Sequence, residues 1–464
     1  MRSPALLLAL VALAAACAAP ADRGGAEAAL AAGGPPNIVI IFTDDQGYGD
    51  LSCYGHPTIH TPSIDRLAAE GVKLTQFCVA GSVCSPSRAA LLTGCYPKRV
   101  GMHEHVIFPD YDYGLHTDAV TIADLLRESG YATGMFGKWH LGHRPGLLPL
   151  DQGFDRWLGV PYSNDMAQFH RREDTSYPFR LPLIRDREVV EWEPDQRLLT
   201  RRYTEAAVEF IEDHRAQPFF LYLPHSMPHI PLYASAEFAG RSPRGLYGDV
   251  IEEIDWSVGE VMAAIDRLEL TETTLVMFTS DNGPWLELGL RGGSAGPLRG
   301  GKSTSWEGGL RVPCILRYPP LIPAGSVCRE LVTALDVLPT VAALAGAAGG
   351  PSVDGEDVSE LLRGGARGGA SDRPFLYYAG DGPLAGIRRG RWKLLLESGE
   401  LYDVEQDVSE SRDLAAENGA LVAELRQLAL DLDAEISAHA MPVRVVEQRL
   451  FNPERPAPEA RAAR

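Results

Sequence analysis

Asn37-Ile-Val-Ile-Ile-Phe-Thr43-Asp44-Asp45 is the stretch on which the fold is read. Ile38 to Phe42 is a continuous apolar, largely β-branched run with no alternation. Such a run predicts a strand buried on both faces, as in a parallel sheet covered by helices. It stops at two adjacent carboxylates. Buried acids at a strand end repel each other unless a cation lies between them. A turn with an N-capping Asp accounts for one of the two, not both.

Working outward, similar short strands are expected at Tyr131–Phe136, Pro218–Leu223, Thr273–Thr279 and Cys314–Tyr318. Helical spacing falls between them, at Thr61–Glu70, Thr121–Ser129, Tyr203–His214, Asp249–Leu268 and Leu331–Ala345. This alternation predicts a doubly wound α/β domain, whose ligands collect at the carboxyl ends of strands. Those ends carry Asp44-Asp45, Lys138 and His140, His225 and His229, and Asp281-Asn282. A surface charge or a core histidine explains any one of these. It does not explain four groups at four strand ends, so they are read as one site.

Gly81-Ser-Val-Cys84-Ser-Pro-Ser-Arg88-Ala-Ala-Leu-Leu-Thr-Gly94 supplies the remaining pieces. Pro86 suits a first helical turn, Ala89 to Leu92 favour helix, and Gly94 is a C′ stop. Cys84 is therefore placed at a helix N-terminus, where negative charge is favoured, with Arg88 one turn on. Gly296 to Ser303 has phosphate-loop spacing, but no strand leads into it and no clear helix follows, so it is not read as a nucleotide site.

The chain has 464 residues, enough for a large domain and a smaller one. Residues 1–22 have a short positive start, an apolar run and small residues, which is a signal peptide. Cys17 after Ala14-Ala15-Ala16 resembles a lipoprotein cleavage box, with Leu13 one place early; ordinary cleavage near Ala19 competes. The expectation is export to the periplasm or outside the cell, with the membrane reached only through a lipid on Cys17. A loose linker (23–36) precedes the catalytic domain (37–346). A Gly-rich linker (347–372), a small α+β domain of short antiparallel strands plus a helix (373–440) and a poorly ordered tail (441–464) follow. Residues 166–200 read as an irregular polar insertion. The formal net charge of -19 excludes nucleic acid as a general partner. Seven cysteines in an exported chain suggest disulfides, and Cys314 and Cys328 could bridge or be core.

Three carboxylates and an amide oxygen suit a hard cation, calcium or magnesium, rather than zinc. Arg88, Lys138, Lys302 and the histidines could surround a small oxyanion and stabilise charge developing on it. No ordinary nucleophile elbow is present. Cys84 is the candidate, yet a thiolate is a poor match in softness for a hard cation.

Cys84-Ser-Pro-Ser-Arg88, running into Ala-Ala-Leu-Leu-Thr-Gly94, resembles the signature of the type I, formylglycine-dependent sulfatases, the arylsulfatase family. Thr43-Asp-Asp-Gln-Gly-Tyr-Gly-Asp50, Gly137-Lys-Trp-His-Leu-Gly142, Thr279-Ser-Asp-Asn-Gly283 and Glu307-Gly-Gly-Leu-Arg-Val-Pro313 match as well. The likeness runs from Pro36 through Asp403, and Gly159-Val-Pro-Tyr-Ser163-Asn-Asp165 points to the arylsulfatase A-like branch. The resemblance implies an alkaline-phosphatase-like mixed sheet and removal of sulfate from aryl or carbohydrate esters. It implies that Cys84 is oxidised to Cα-formylglycine by a formylglycine-generating enzyme. Asp44, Asp45, Asp281, Asn282 and residue 84 would hold one calcium, with magnesium second. Arg88 and Lys138 would hold the hydrated aldehyde, whose hydroxyl attacks sulfur. Ser163, Lys138, His229 and Lys302 would bind the sulfate, and His229 or Lys302 would protonate the leaving alcohol. His140 would take the proton as sulfate is expelled. His229 is preferred to His225 because it precedes an apolar residue and a proline, as in the family. Two alternatives remain: a phosphomonoesterase or phosphodiesterase of the same superfamily, using two transition metals and a Thr or Ser nucleophile, and a non-catalytic glycan-binding relative.

Overall fold

A ten-stranded mixed sheet forms the body of the molecule. Its order is Ser326–Cys328, Val72–Leu74, Cys314–Arg317, Thr274–Ser280, Asn37–Thr43, Phe219–Pro224, Ala132–Phe136, Arg156–Gly159, Pro182–Arg185 and Glu188–Trp192. The structure, a computed structural model, describes residues 34–104, 106–168, 179–347, 352–365, 372–380 and 382–454. The expected signal segment and Cys17 lie outside the described residues.

Asn37–Thr43 is central and buried throughout, pairing in parallel with Thr274–Ser280 and with Phe219–Pro224. Successive side chains enter opposite layers, as a pleated strand requires. Val39 and Ile41 join a core with the helices Pro62–Ala69, Leu199–His214 and Leu246–Arg267. Ile40 faces the other way, onto Val337 and Val341 of the helix Val337–Ala345. Each apolar side chain buried in this strand contributes about 1.5–3 kcal/mol, which is why alternation is absent from its sequence.

The register brings the strand ends together. Thr43 lies opposite Ser280 and Phe42 opposite Pro224. The acids that follow Thr43 and Ser280 therefore emerge at one level. Lys138 joins them because its N–H donates to the Pro224 carbonyl at 2.7 Å. This crossing demands Gly137: its φ is 141°, and a Cβ there would lie 1.9 Å from the Pro224 oxygen.

Three expectations change. The segment read as an irregular insertion contains a hairpin, Pro182–Arg185 with Glu188–Trp192, that extends the sheet edge. Its Asp186-Arg187 turn puts Asp186 at φ 55°, without the glycine that signals such turns, and Pro182 masked the strand. Residues past Met441 are not loose where described. Arg444–Val445 pairs with Tyr113–Gly114, and Phe451 packs on the main core. Cys314 and Cys328 both face Leu74, from opposite sides of Val72–Leu74. They are two strand spacings apart, roughly 9–10 Å, beyond disulfide reach, and none of the six described cysteines is bridged.

The smaller C-terminal unit is a four-stranded antiparallel sheet, Pro374–Tyr378, Leu384–Arg389, Trp392–Leu395 and Leu401–Asp403, with the helix Gly419–Ala438.

Candidate active site

Asp44, Asp45, Arg88, Lys138, His140, Ser163, His229, Asp281, Asn282 and Cys84 are all buried, gathered from five sheet-end loops and one helix. That helix is Cys84–Thr93, with Cys84 at its first position and Gly94 closing it at φ 65°. Asp45 and His140 take the left-handed conformation, at φ 65° and 64°. Both residue types tolerate it better than most non-glycine residues, which lets the chain turn at each of these site positions.

The charges interlock. The Lys138 ammonium donates to Asp44 Oδ2 at 2.6 Å, and Lys302 donates to Asp45 Oδ2 at 2.7 Å. Arg88 donates to Asp281 Oδ2 from Nε at 3.2 Å and from its terminal nitrogen at 2.8 Å. The Asn282 amide donates to Asp45 Oδ1 at 2.8 Å, and its own Oδ1 is buried with no protein partner. Three carboxylates thus face three fixed cations. Burial opposes ionisation of Asp44, but Lys138, His229 and Arg88 hold it well below the usual carboxylate range. Asp281 goes the other way: burial, then repulsion from Asp44, pushes it up to about 7. A carboxyl kept from ionising by acid neighbours is what a divalent cation relieves. Ligand atoms of Asp44, Asp45, Cys84 and His229 lie within 4.8 Å of one another, so these residues could hold a metal.

Cys84 is not an activated thiol. Its Sγ donates to Asp44 Oδ1 at 3.3 Å and lies 3.9 Å from the Lys302 ammonium. Burial and the Asp44 charge raise its pKa well above the ordinary thiol value, despite both lysines. A neutral buried thiol is a weak nucleophile.

The histidines separate. His140 Nε2 donates to the Ile107 carbonyl at 3.1 Å, which leaves Nδ1 as a lone-pair site without a protein partner. Burial, then Lys138 and Arg88, keep its pKa well below the ordinary histidine value. His229 Nε2 is 3.5 Å from Asp45 Oδ2, while Nδ1 meets the Ile230 carbonyl and, at 3.4 Å, Ser163 Oγ. His225 instead faces Ser257 Oγ at 3.2 Å and is held at about 3 by burial alone. The structure brings His229, not His225, to the charge cluster.

Sequence reading missed several supporting residues. Ser85 donates to the His140 carbonyl at 2.7 Å and accepts the Ile107 N–H at 3.0 Å, closing a ring around His140. Trp285 carries the Lys302 ammonium 4.5 Å from its ring centroid. Asp50 accepts the Gly47 N–H at 2.7 Å and the Tyr247 hydroxyl at 2.6 Å, bracing the loop after Asp45. Only Asp50 had a signal, an acid closing a Gly-Tyr-Gly turn. Burial pushes its pKa up to about 7. A raised folded-state pKa gives stability present at low pH and lost as pH rises from about 4 through about 7. Asp50→Asn should flatten that slope, worth up to about 4 kcal/mol, in denaturant unfolding at pH 5 and pH 8.

Fold and site together define an enzyme that handles a small oxyanion ester. Residues 36–347 match the family described as Sulfatase, and residues 301–435 match N-sulphoglucosamine sulphohydrolase, C-terminal. Human arylsulfatase A is 44% identical over 389 residues, spanning 79% of this chain and 76% of the relative. The N-acetylgalactosamine-6-sulfatase of Canis lupus familiaris is 40% identical over 381 residues, spanning 77% and 71%. The crystal structure of Ps i-CgsB in complex with k-i-k-neocarrahexaose superposes with a TM-score of 0.75 at 31% identity, covering 88% of this chain and 94% of that one. The chain belongs to the sulfatase family and is a sulfuric ester hydrolase of the arylsulfatase type.

Proposed function

We propose that this enzyme removes sulfate from aryl or carbohydrate sulfate esters through a Cα-formylglycine made from Cys84 by a formylglycine-generating enzyme, with one calcium ion bound. The observation that carries this is the placement of Cys84: its buried Sγ lies 3.3 Å from Asp44 Oδ1 and 3.9 Å from the Lys302 ammonium, in the midst of the hard oxygen and ammonium groups, and burial with the Asp44 charge keeps the thiol from ionising. When formed, the aldehyde hydrate supplies a hard oxygen nucleophile in place of sulfur. Asp44, Asp45, Asp281, Asn282 and residue 84 would hold the calcium, and the unpartnered Asn282 oxygen and the raised Asp281 fit that role. A bound divalent cation would supply Lewis-acid neutralisation of sulfate charge.

The other side chains divide the remaining work. Arg88 and Lys138 are fixed cations beside position 84 and hold its oxygens. Lys302, His229 and Ser163 bind the sulfate, with Lys138, paired to Asp44, adding positive charge. His229 or Lys302 donates a proton to the departing alcohol oxygen. His140, neutral and with Nδ1 open, is suited to take the proton released at residue 84. A phosphoesterase would need two transition metals and a hydroxyl at position 84; that position is cysteine, and among the described residues one metal-competent cluster is found. The signal-like start supports export; a lipid on Cys17 would tether the protein to the membrane, whereas cleavage near Ala19 would release it. Among the described residues no helix is long and apolar enough to cross a membrane.

Two measurements test the reading. Sulfate should be released from 4-nitrophenyl sulfate at least about 100-fold faster than phosphate from 4-nitrophenyl phosphate; the reverse preference overturns it. A strong calcium chelator should lower both activity and melting temperature, and calcium should restore both, since a ligand bound only by the folded state stabilises it. An unchanged melting temperature would count against a resident cation.

A further inference from the structure

The geometry points to Trp285 as the wall against which the alcohol part of the substrate lies, and to a substrate whose alcohol is a ring with an apolar face; this rests on the sulfatase reading of the site. Trp285 follows Asp281-Asn282-Gly283-Pro284 directly, so it is fixed to the charge cluster. Its loop is stitched to the Lys302 loop: the Lys302 N–H donates to the Pro284 carbonyl at 2.9 Å. The indole is only partly buried. It lies 4.5 Å from the Lys302 ammonium and 5.8 Å from the His229 ring, measured to its centroid. Those are the two groups that face the ester sulfate and the leaving oxygen, so the indole borders the direction in which the alcohol departs.

The surface beyond carries exposed leucines among charged neighbours: the indole N–H donates to Glu287 Oε2 at 3.4 Å, and Arg244 donates to the Leu290 carbonyl at 2.6 Å. Leu286 and Leu290 follow on the same loop, 43% and 78% exposed, and Leu246 begins the adjoining long helix, 46% exposed. In a chain of net charge -19, an apolar lip at a site for anions needs an explanation. An aromatic ring, or the C–H face of a pyranose, would bury area on the indole and the leucines while its sulfate reaches Lys302 and His229. Both sources share one chemistry, an apolar ring face.

Trp285→Ala and Trp285→Phe test this, with kcat and KM measured on 4-nitrophenyl sulfate and on a monosaccharide 6-sulfate, and with inhibition by inorganic sulfate, which has no ring. Trp285→Ala should lose tenfold or more in kcat/KM on the ring substrate the wild type turns over best, chiefly in KM. Trp285→Phe should stay within threefold, and the sulfate inhibition constant should move by less than threefold in both. A larger loss on the nitrophenyl ester assigns the wall to aryl groups; a larger loss on the sugar assigns it to a pyranose face. If the sulfate constant weakens in step with KM, Trp285 only positions Lys302 and the inference is overturned. Wild-type kinetics in Trp285→Ala overturn it equally. A wild type that releases sulfate from neither ester overturns the sulfatase reading itself.

Discussion

Cys84→Ala should cut sulfate release from 4-nitrophenyl sulfate by at least about 10⁴-fold, the scale at which enzymes lose a nucleophile. Cys84→Ser should do the same in a host that oxidises only cysteine. Stability should change little, because alanine removes one sulfur from a helix start whose remaining bonds are made by its neighbours. Ser85 holds His140, and Arg88 holds Asp281 and the Lys138 carbonyl. The cost should be about 1 kcal/mol, readable by denaturant unfolding. The two readouts together exclude collapse of the fold as the cause. The peptide containing position 84 supplies an independent check by mass: conversion of the thiol to an aldehyde exchanges sulfur and two hydrogens for oxygen. Full activity in either variant, or unmodified cysteine in fully active enzyme, would defeat the mechanism. The thiol's chemistry sets these stakes. At neutral pH it is protonated, because burial and Asp44 outweigh Lys138 and Lys302. An unmodified Cys84 therefore has neither the charge to attack sulfur nor a second oxygen with which to expel sulfate.

The catalytic sheet was readable because its strands are buried on both faces and therefore stand out as apolar runs. The site was readable because each run ends abruptly in polar residues. What stayed hidden depends on partners distant in sequence. Asp50 meets Tyr247 across 197 positions. Trp285 looks like any aromatic in a Gly-rich loop until Lys302 is found over its ring. His225 and His229 share one Pro-stiffened loop, and bottom-up reading could not rank them; their neighbours do, a serine for one and a carboxylate for the other. The edge hairpin at Pro182–Trp192 was invisible because its turn uses Asp186 and its first residue is proline. The smaller C-terminal sheet was legible as a set of strands, but not in what it does for the site, because that depends on side chains it buries against the large domain.

Lys393→Met exposes that dependence. Lys393 is fully buried and bridges two buried acids, Glu307 Oε1 at 3.0 Å and Glu410 Oε1 at 2.8 Å. Tyr377 donates to the same Glu307 oxygen at 2.8 Å, and the Glu307 N–H donates to Glu410 Oε2 at 2.7 Å. Glu307 opens the turn Glu307–Leu310, whose Gly309 carbonyl accepts the Gly283 N–H at 2.9 Å, next to Asn282. Glu410 also offers its carbonyl to Arg299 at 2.9 Å, just ahead of the Lys302 loop. The C-terminal sheet therefore pins both loops that carry Asn282 and Lys302. Methionine matches the lysine stem but takes the ammonium from the buried Glu410 and leaves Glu307 only the more distant Arg388 and Arg311, at 3.7 and 3.6 Å; breaking a buried pair in this way costs about 3–5 kcal/mol. We expect that loss in denaturant unfolding, with kcat on 4-nitrophenyl sulfate down about tenfold or more as the loops shift. The sign of the pH effect follows from Glu307. Burial opposes its charge, but Lys393, then Arg388 and Arg311, hold it down at about 2. In the wild type this depressed group stabilises at neutral pH, and the contribution is lost only as pH falls towards 2. Without Lys393 the carboxyls are pushed up and can be relieved by protonation, so the variant's deficit should be largest near pH 7–8 and shrink towards pH 5. Lys393→Arg keeps the charge and should recover most of the stability. A Lys393→Met enzyme within about 1 kcal/mol of wild type, with a normal kcat and a deficit independent of pH, would show that this network does not couple the two domains.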